Sequence, residues 1–197
     1  MAPVLSVGRA LFRVRSWTPV PLALWVAVNA RPRRRWLLPS ITLVLAGIVM
    51  RLWAVAHIGP ESRTRATFSP ERRVRSGPYA VIEHPLYIAN ALLSGGLVLL
   101  SGAGWPWLQA AFPALWLMQY GPIMLWEDST MKPRGLRRKG APRKVGRGVA
   151  RARWRLAWAS ERRTRQSVFL FVALIAVRAA LGCPSAVARE RATGAAA

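Results

Sequence analysis

Acidic residues are scarce in this chain: seven Asp and Glu stand against 30 Lys and Arg, a net charge of +23. That imbalance does not suit an ordinary soluble globule, least of all one in which 53% of residues are apolar and ten are Trp. Cysteine is scarcer still. The lone Cys183 excludes an internal disulfide framework and a cysteine-based metal cluster, and no metal site is expected. Cys183 borders an apolar segment and reads as a small buried side chain. Alternating apolar–polar runs are missing, and so are internal repeats, so neither strands nor a repeat array is expected.

What is present is segregation. Mean hydropathy is positive, +0.21, despite the charge, because the apolar residues lie in long runs and the arginines lie between them. This pattern implies an all-α, polytopic membrane helical bundle with basic loops. A strongly basic chain also raises nucleic acid as a partner. The aromatics, however, sit inside the apolar runs and are not interleaved with the arginines, so the expected partners are the lipid bilayer and no nucleic acid. The length suits a single domain, taken as residues 1–183, with the Ala-rich residues 184–197 as a disordered tail.

About five apolar segments are expected. Trp17 to Ala30 reads as a short first span, starting at or before Trp17; a cleaved leader over residues 1–30 is the less favoured reading, since another apolar run follows within five residues. Trp36 to Ala54 is long enough to cross a bilayer, with Arg51 near its end placed to snorkel to the interface. A polar loop from Ala56 to Glu83 follows, broken by Gly59, Pro60, Pro70, Gly77 and Pro78. Leu86 to Ser101 and Trp105 to Trp126, joined by Gly102-Ala103-Gly104, predict an antiparallel helical hairpin. Lys132 to Arg165 holds 14 basic residues and one acid, Glu161; it reads as a loop touching anionic lipid head groups. Ser167 to Gly182 is the last apolar segment. The larger charge clusters place both basic loops in the cytoplasm, and the Arg31–Arg35 turn breaks that rule.

Chemistry is concentrated at residues 76–90, S-G-P-Y-A-V-I-E-H-P-L-Y-I-A-N. Pro85 suits the first turn of a helix, which puts His84 at the helix start. Tyr87 and Asn90 follow at intervals of three and form a polar stripe on an apolar helix, a candidate site by default in a membrane segment. The hairpin returns Glu127-Asp128 to the same end. A helix N-terminus suits a carboxylate, and a nearby acid suits an ammonium or sulfonium group. The pair fits a zwitterionic amino acid with a positive centre, as in S-adenosylmethionine.

These residues carry a resemblance. R-L-W-A-V-A-H-I-G (51–59), S-R-T (62–64), the 76–90 stretch, L-L-S-G-G-L-V-L-L (92–100) and the later Glu-Asp pair resemble the isoprenylcysteine carboxyl methyltransferase and phospholipid methyltransferase superfamily. The resemblance spans about Trp36 to Asp128. It implies an integral-membrane enzyme that binds S-adenosylmethionine and admits a small lipid-like acceptor from the bilayer, methylating a carboxylate or an amine. It further implies that His84, Pro85, Tyr87 and Asn90 line the cofactor pocket and that Glu127 holds its amino end. No catalytic residue is assigned; among the arginines of the Lys132–Arg165 run, Arg147 is the candidate to reach the acceptor. The implied location is the bacterial inner membrane, with the site facing the cytoplasm.

Two departures stand out. Glu83 occupies a position where the family usually has Arg or Asn, and the family's Phe-Gly and paired tyrosines after the acidic pair are absent from residues 129–148. They motivate an alternative: a non-catalytic membrane protein on the same scaffold that holds anionic lipid or a partner. His57 and Gly95-Gly96 are expected to serve helix packing, the glycines also leaving room for a cofactor.

Overall fold

The computed structural model describes residues 2–58, 76–131 and 147–181. They form seven α-helices and no strand: α1 (Ala2–Val14), α2 (Val20–Val28), α3 (Arg34–Ile58), α4 (Pro85–Ser101), α5 (Trp107–Met131), α6 (Arg147–Ser160) and α7 (Arg162–Leu181). A short 3₁₀ turn, Gly77–Ala80, precedes α4. The all-α class is as expected. Cys183 and the 184–197 tail lie outside the described residues, as do positions 59–75 of the polar loop.

Helices α3, α4 and α5 run alternately up and down, so Ile58, His84 and Glu127 share one end and Arg34, Ser101 and Trp107 share the other. Small residues let α3 and α4 approach closely. A Cβ on Gly47 would lie 2.7 Å from the Leu93 nitrogen, and one on Gly96 would lie 2.8 Å from a Val44 methyl. With lipid as solvent, such contacts replace hydrophobic burial as the source of helix association. Gly95 faces the Phe112 ring, 3.0 Å from its would-be Cβ. Both glycines therefore serve packing, and those facets leave no room for a cofactor. The hairpin forms as predicted. Gly102 and Gly104 take left-handed φ angles of 60° and 61°, and Gly102 caps α4.

Two helices, α3 and α7, are both long and apolar enough to cross a membrane. Little of either is buried, and Leu38, Leu45, Val49, Phe169, Leu170 and Leu181 point outward. The other expected segments differ. At 17 residues α4 spans about 25 Å, short of the ~30 Å hydrocarbon layer. Helix α5 has 25 residues, but Gln109, Pro113, Gln119 and Pro122 dilute its apolar character.

The first span expected over Trp17–Ala30 is corrected. The chain folds there as α2, nine residues and about 13 Å long, after a turn at Arg15–Pro19. Pro19 and Pro21 set where α2 begins, since they cannot continue the preceding helix. The separate α1 packs along α5: Gly8 lies against the Pro122 carbonyl, and the Phe12 and Trp126 rings are 5.1 Å apart.

The basic loop expected over Lys132–Arg165 is corrected in its second half, which forms α6 and the start of α7. Ala157 of α6 is buried against Val55, Ala56 and Leu86, so this segment is part of the body and not a lipid-facing loop alone.

Candidate active site

The site forms where the 3₁₀ turn and α4 begin and the apolar run of α5 ends. Gly77 has φ +61°, and its missing side chain lets the turn sit directly on His57, whose Nε2 would be 2.5 Å from a Cβ there. The His57 ring is held by an Nδ1 contact to the Trp53 carbonyl at 2.9 Å. His57 thus acts in packing, as expected. Pro85 opens α4 and is buried; His84 occupies the cap position without a side-chain capping bond, which leaves its ring free to turn toward α5.

There the ring meets both acids. His84 Nδ1 is 3.7 Å from a Glu127 carboxylate oxygen, and Nε2 is 3.5 Å from Asp128 Oδ1. Nε2 is buried and makes no hydrogen bond among the described residues, so its approach to Asp128 is one of charge distance without hydrogen-bond geometry. Tyr87 donates to Glu127 at 2.8 Å. An aromatic wall continues from the His84 ring through Tyr87, Tyr120 and Trp116, at centroid spacings of 5.8, 5.2 and 5.5 Å.

Glu127 follows the last apolar residue of the α5 run. Burial raises its pKa, while the Tyr87 hydrogen bond and the charges of His84 and Arg15 pull it back down. Burial and the Glu127 charge likewise push the Tyr79 phenol upward, so it stays protonated as a donor. Its hydroxyl is buried and has no hydrogen-bond partner among the described residues.

Below this cluster lies Arg51, whose expected placement is corrected. Its side chain does not snorkel to the interface. It turns inward, with Nε 2.6 Å from Glu161 Oε2 and an Nη1 hydrogen bond to Asn90 Oδ1. Glu161 is only 2% exposed, and a buried carboxylate in an apolar body demands a cation; this outweighs the pull of the interface.

Of the residues singled out from sequence, His84, Pro85, Tyr87, Asn90 and Glu127 come together. Arg147 begins α6, and its side chain lies outside the described residues. Glu83, His84 and Asp128 place one ligand atom each within 4.8 Å of one another, a grouping that a cation could use. The hairpin pattern brings Asp128 to the His84 end, but nothing in the sequence places Glu83 as a third member of the group.

Sequence reasoning missed Tyr79, Tyr120, Arg15 and the Arg51–Glu161 pair. Glu161 carried a usable signal as the one acid within a long basic run, and Arg51 as an ionisable residue within an apolar span. Nothing in the sequence marks Arg15. It reaches the site because α1 lies on α5, with its guanidinium 4.0 Å over the Phe12 ring and Phe12 stacked on Trp126.

Residues 40–120 match the model of the isoprenylcysteine carboxyl methyltransferase (ICMT) family. No curated protein and no solved structure matches the chain. The matched stretch takes in α3 from Ser40, the 3₁₀ turn, the His-Pro-x-Tyr start of α4, and α5 as far as Tyr120; the acidic pair lies just beyond it. That match, together with the helix order that brings the motif to one end of the body, makes residues 40–120 similar to the isoprenylcysteine carboxyl methyltransferase family.

Proposed function

We propose that this membrane protein is a methyltransferase that takes a methyl group from S-adenosylmethionine and places it on a small lipid-like acceptor, either a carboxylate of the isoprenylcysteine kind or a phospholipid amine. The observation that carries this reading is the Tyr87–Glu127–His84 cluster, a partly buried carboxylate held between a phenol and an imidazole at the start of α4.

The residues fit the cofactor by a simple test. The Tyr79 hydroxyl and His84 Nε2 are buried, make no hydrogen bond among the described residues, and lie in the surroundings of Glu127. Buried polar atoms are rarely left in that state without a ligand or water to meet them. Glu127 would hold the ammonium group, Tyr79 and His84 its polar edge, and Pro85, Tyr87 and Asn90 the wall. Bound S-adenosylmethionine supplies an electrophilic methyl group.

The chain's own residues do the rest. Tyr87 donates to Glu127 and favours its ionised, ammonium-binding form. The Tyr87–Tyr120–Trp116 wall keeps water away from the reacting atoms. A carboxylate acceptor has no proton to lose, so positioning dominates. An amine acceptor must lose one, and His84 beside Asp128 would hold it. The less apolar helices complete a polytopic bundle around α3 and α7. The site faces the cytoplasm at the bacterial inner membrane, where residues 129–165 meet anionic lipid.

The test uses the detergent-purified chain, methyl-labelled S-adenosylmethionine and a total lipid extract, with His84→Ala alongside. Label is expected in the organic phase for the native chain and is lost in the variant. Calorimetry without cofactor binding, together with no transfer, removes the proposal.

A further inference from the structure

At the end of the bundle opposite the site, the Arg31–Arg35 turn meets the α4–α5 hairpin. The Arg31 N–H bonds to the Ser101 carbonyl at 2.7 Å, and Gly102 packs on the Arg31 carbonyl. This contact fixes the turn against the hairpin and brings its arginines over two indoles. Arg33 stands 5.3 Å from the Trp105 ring centroid, and Arg35 stands 5.3 Å from Trp105 and 5.7 Å from Trp36. The two indoles lie 5.2 Å apart. Arg31, Arg33, Arg34 and Arg35 are all exposed.

No anion of the described chain answers this charge. The acids among the described residues are Glu83, Glu127, Asp128 and Glu161, and all four belong to the site end. Arg51, which holds Glu161, lies 17 residues along α3 from Arg34, about 25 Å away. Four guanidinium groups therefore crowd one rim without a counter-charge among the described residues. A guanidinium resting on an aromatic face keeps its N–H edge free to engage a phosphate.

The surroundings identify the kind of phosphate. Immediately beside the cluster, Leu37 is 48% exposed, Leu38 75% and Trp107 79%. Exposed apolar side chains directly below a Trp-and-Arg rim describe the boundary between acyl chains and head groups. Free phosphate would use the arginines alone and leave this apolar skirt in water.

We propose that the Arg31–Arg35 turn, with Trp36 and Trp105, is a binding surface for anionic phospholipid head groups in the leaflet opposite the site. It is distinct from the basic 129–165 segment and stands whether or not the chain is a methyltransferase. It also accounts for a turn that runs against the positive-inside pattern: these arginines are held at their face by a lipid counter-charge.

The full-length protein would be purified in neutral detergent and exposed to phosphatidylglycerol or phosphatidylcholine, with retained lipid counted by native mass spectrometry. The native chain is expected to retain phosphatidylglycerol preferentially. The variant R33Q/R34Q/R35Q should retain about ten-fold less, while R9Q/R13Q, exposed on α1 beside the site end of α5, should lose much less. Equal retention of the two lipids, or unchanged retention in R33Q/R34Q/R35Q, overturns the proposal. If that variant does not fold, a photoactivatable phosphatidylglycerol on the native chain decides: labelled peptides covering residues 31–38 or 105–107 support the surface, and labels confined to other segments overturn it.

Discussion

Arg51 and Glu161 meet at 2.6 Å across 110 positions of sequence, and the carboxylate is almost wholly buried. Their pairing joins the C-terminal helices to the α3–α4 core, and through Asn90 it touches the polar stripe that begins at His84. Breaking a buried pair from one side leaves an uncompensated charge, which costs about 3–5 kcal/mol. Arg51→Met is therefore expected to lower the apparent melting temperature in detergent sharply. Adding Glu161→Leu to it should recover much of the loss. A double variant no more stable than Arg51→Met would show that the charge left behind is not what destabilises it.

A pH dependence follows from Glu127. Burial raises its pKa, so as pH falls from neutral it becomes protonated earlier than an exposed glutamate would. Its folded value lies above the ordinary 4.5, so the fold binds this proton more readily than the unfolded chain does. Stability of the free protein is thus greatest below 4.5 as far as this group is concerned, and declines as pH rises through the raised value. Ammonium binding has the opposite sign, because it needs the carboxylate. Cofactor affinity should weaken as pH falls through the Glu127 pKa. Tyr87→Phe removes the hydrogen bond that favours the ionised form, so weakening should begin at higher pH. Loss of a hydrogen bond to a charged group, worth about 1.5–3 kcal/mol, should move the midpoint of the binding profile upward by about one pH unit or more. Calorimetric titrations of both proteins across about pH 5–8 would test this. Superimposable profiles would show that Tyr87 does not control the charge on Glu127.

How far the sequence discloses this arrangement depends on the range of each interaction. The His84–Pro85 start of α4 is a local signal, legible because proline belongs in a first turn, and Pro85 indeed opens the helix. The hairpin is legible because its two glycines supply the left-handed turn. The nine-residue α2 is not, since the apolar run continues past the proline-set turn that divides it from α1. The inward turn of Arg51 is hidden for another reason. Hydropathy sees an arginine near the end of a span and sends it to the interface; the carboxylate that draws it inward arrives from α6 and α7, which periodicity cannot place in space. Arg15 and Tyr120 reach the site in the same way, by helix packing alone.

Gly77 offers the sharpest structural test, since two independent requirements meet there. Its φ of +61° lies where residues with a side chain are strained, and a Cβ would approach three atoms of the His57 ring within 2.6 Å. Gly77→Ala is therefore expected to cost about 1–3 kcal/mol from backbone strain, with the ring clash added to it. The two parts can be separated. His57→Ala removes the ring, so in its background Gly77→Ala should cost less than in the native chain, with the backbone strain remaining. Because the turn also carries Tyr79, the substitution should weaken cofactor binding beyond its effect on melting temperature. The Tyr87–Glu127 bond does not pass through this turn, so the pH midpoint of binding should stay where it was. A double-mutant cycle on melting temperature, with calorimetry on the folded variants, measures all three. Full additivity between the two sites would mean that the glycine is required for its backbone conformation and not for the space beside His57.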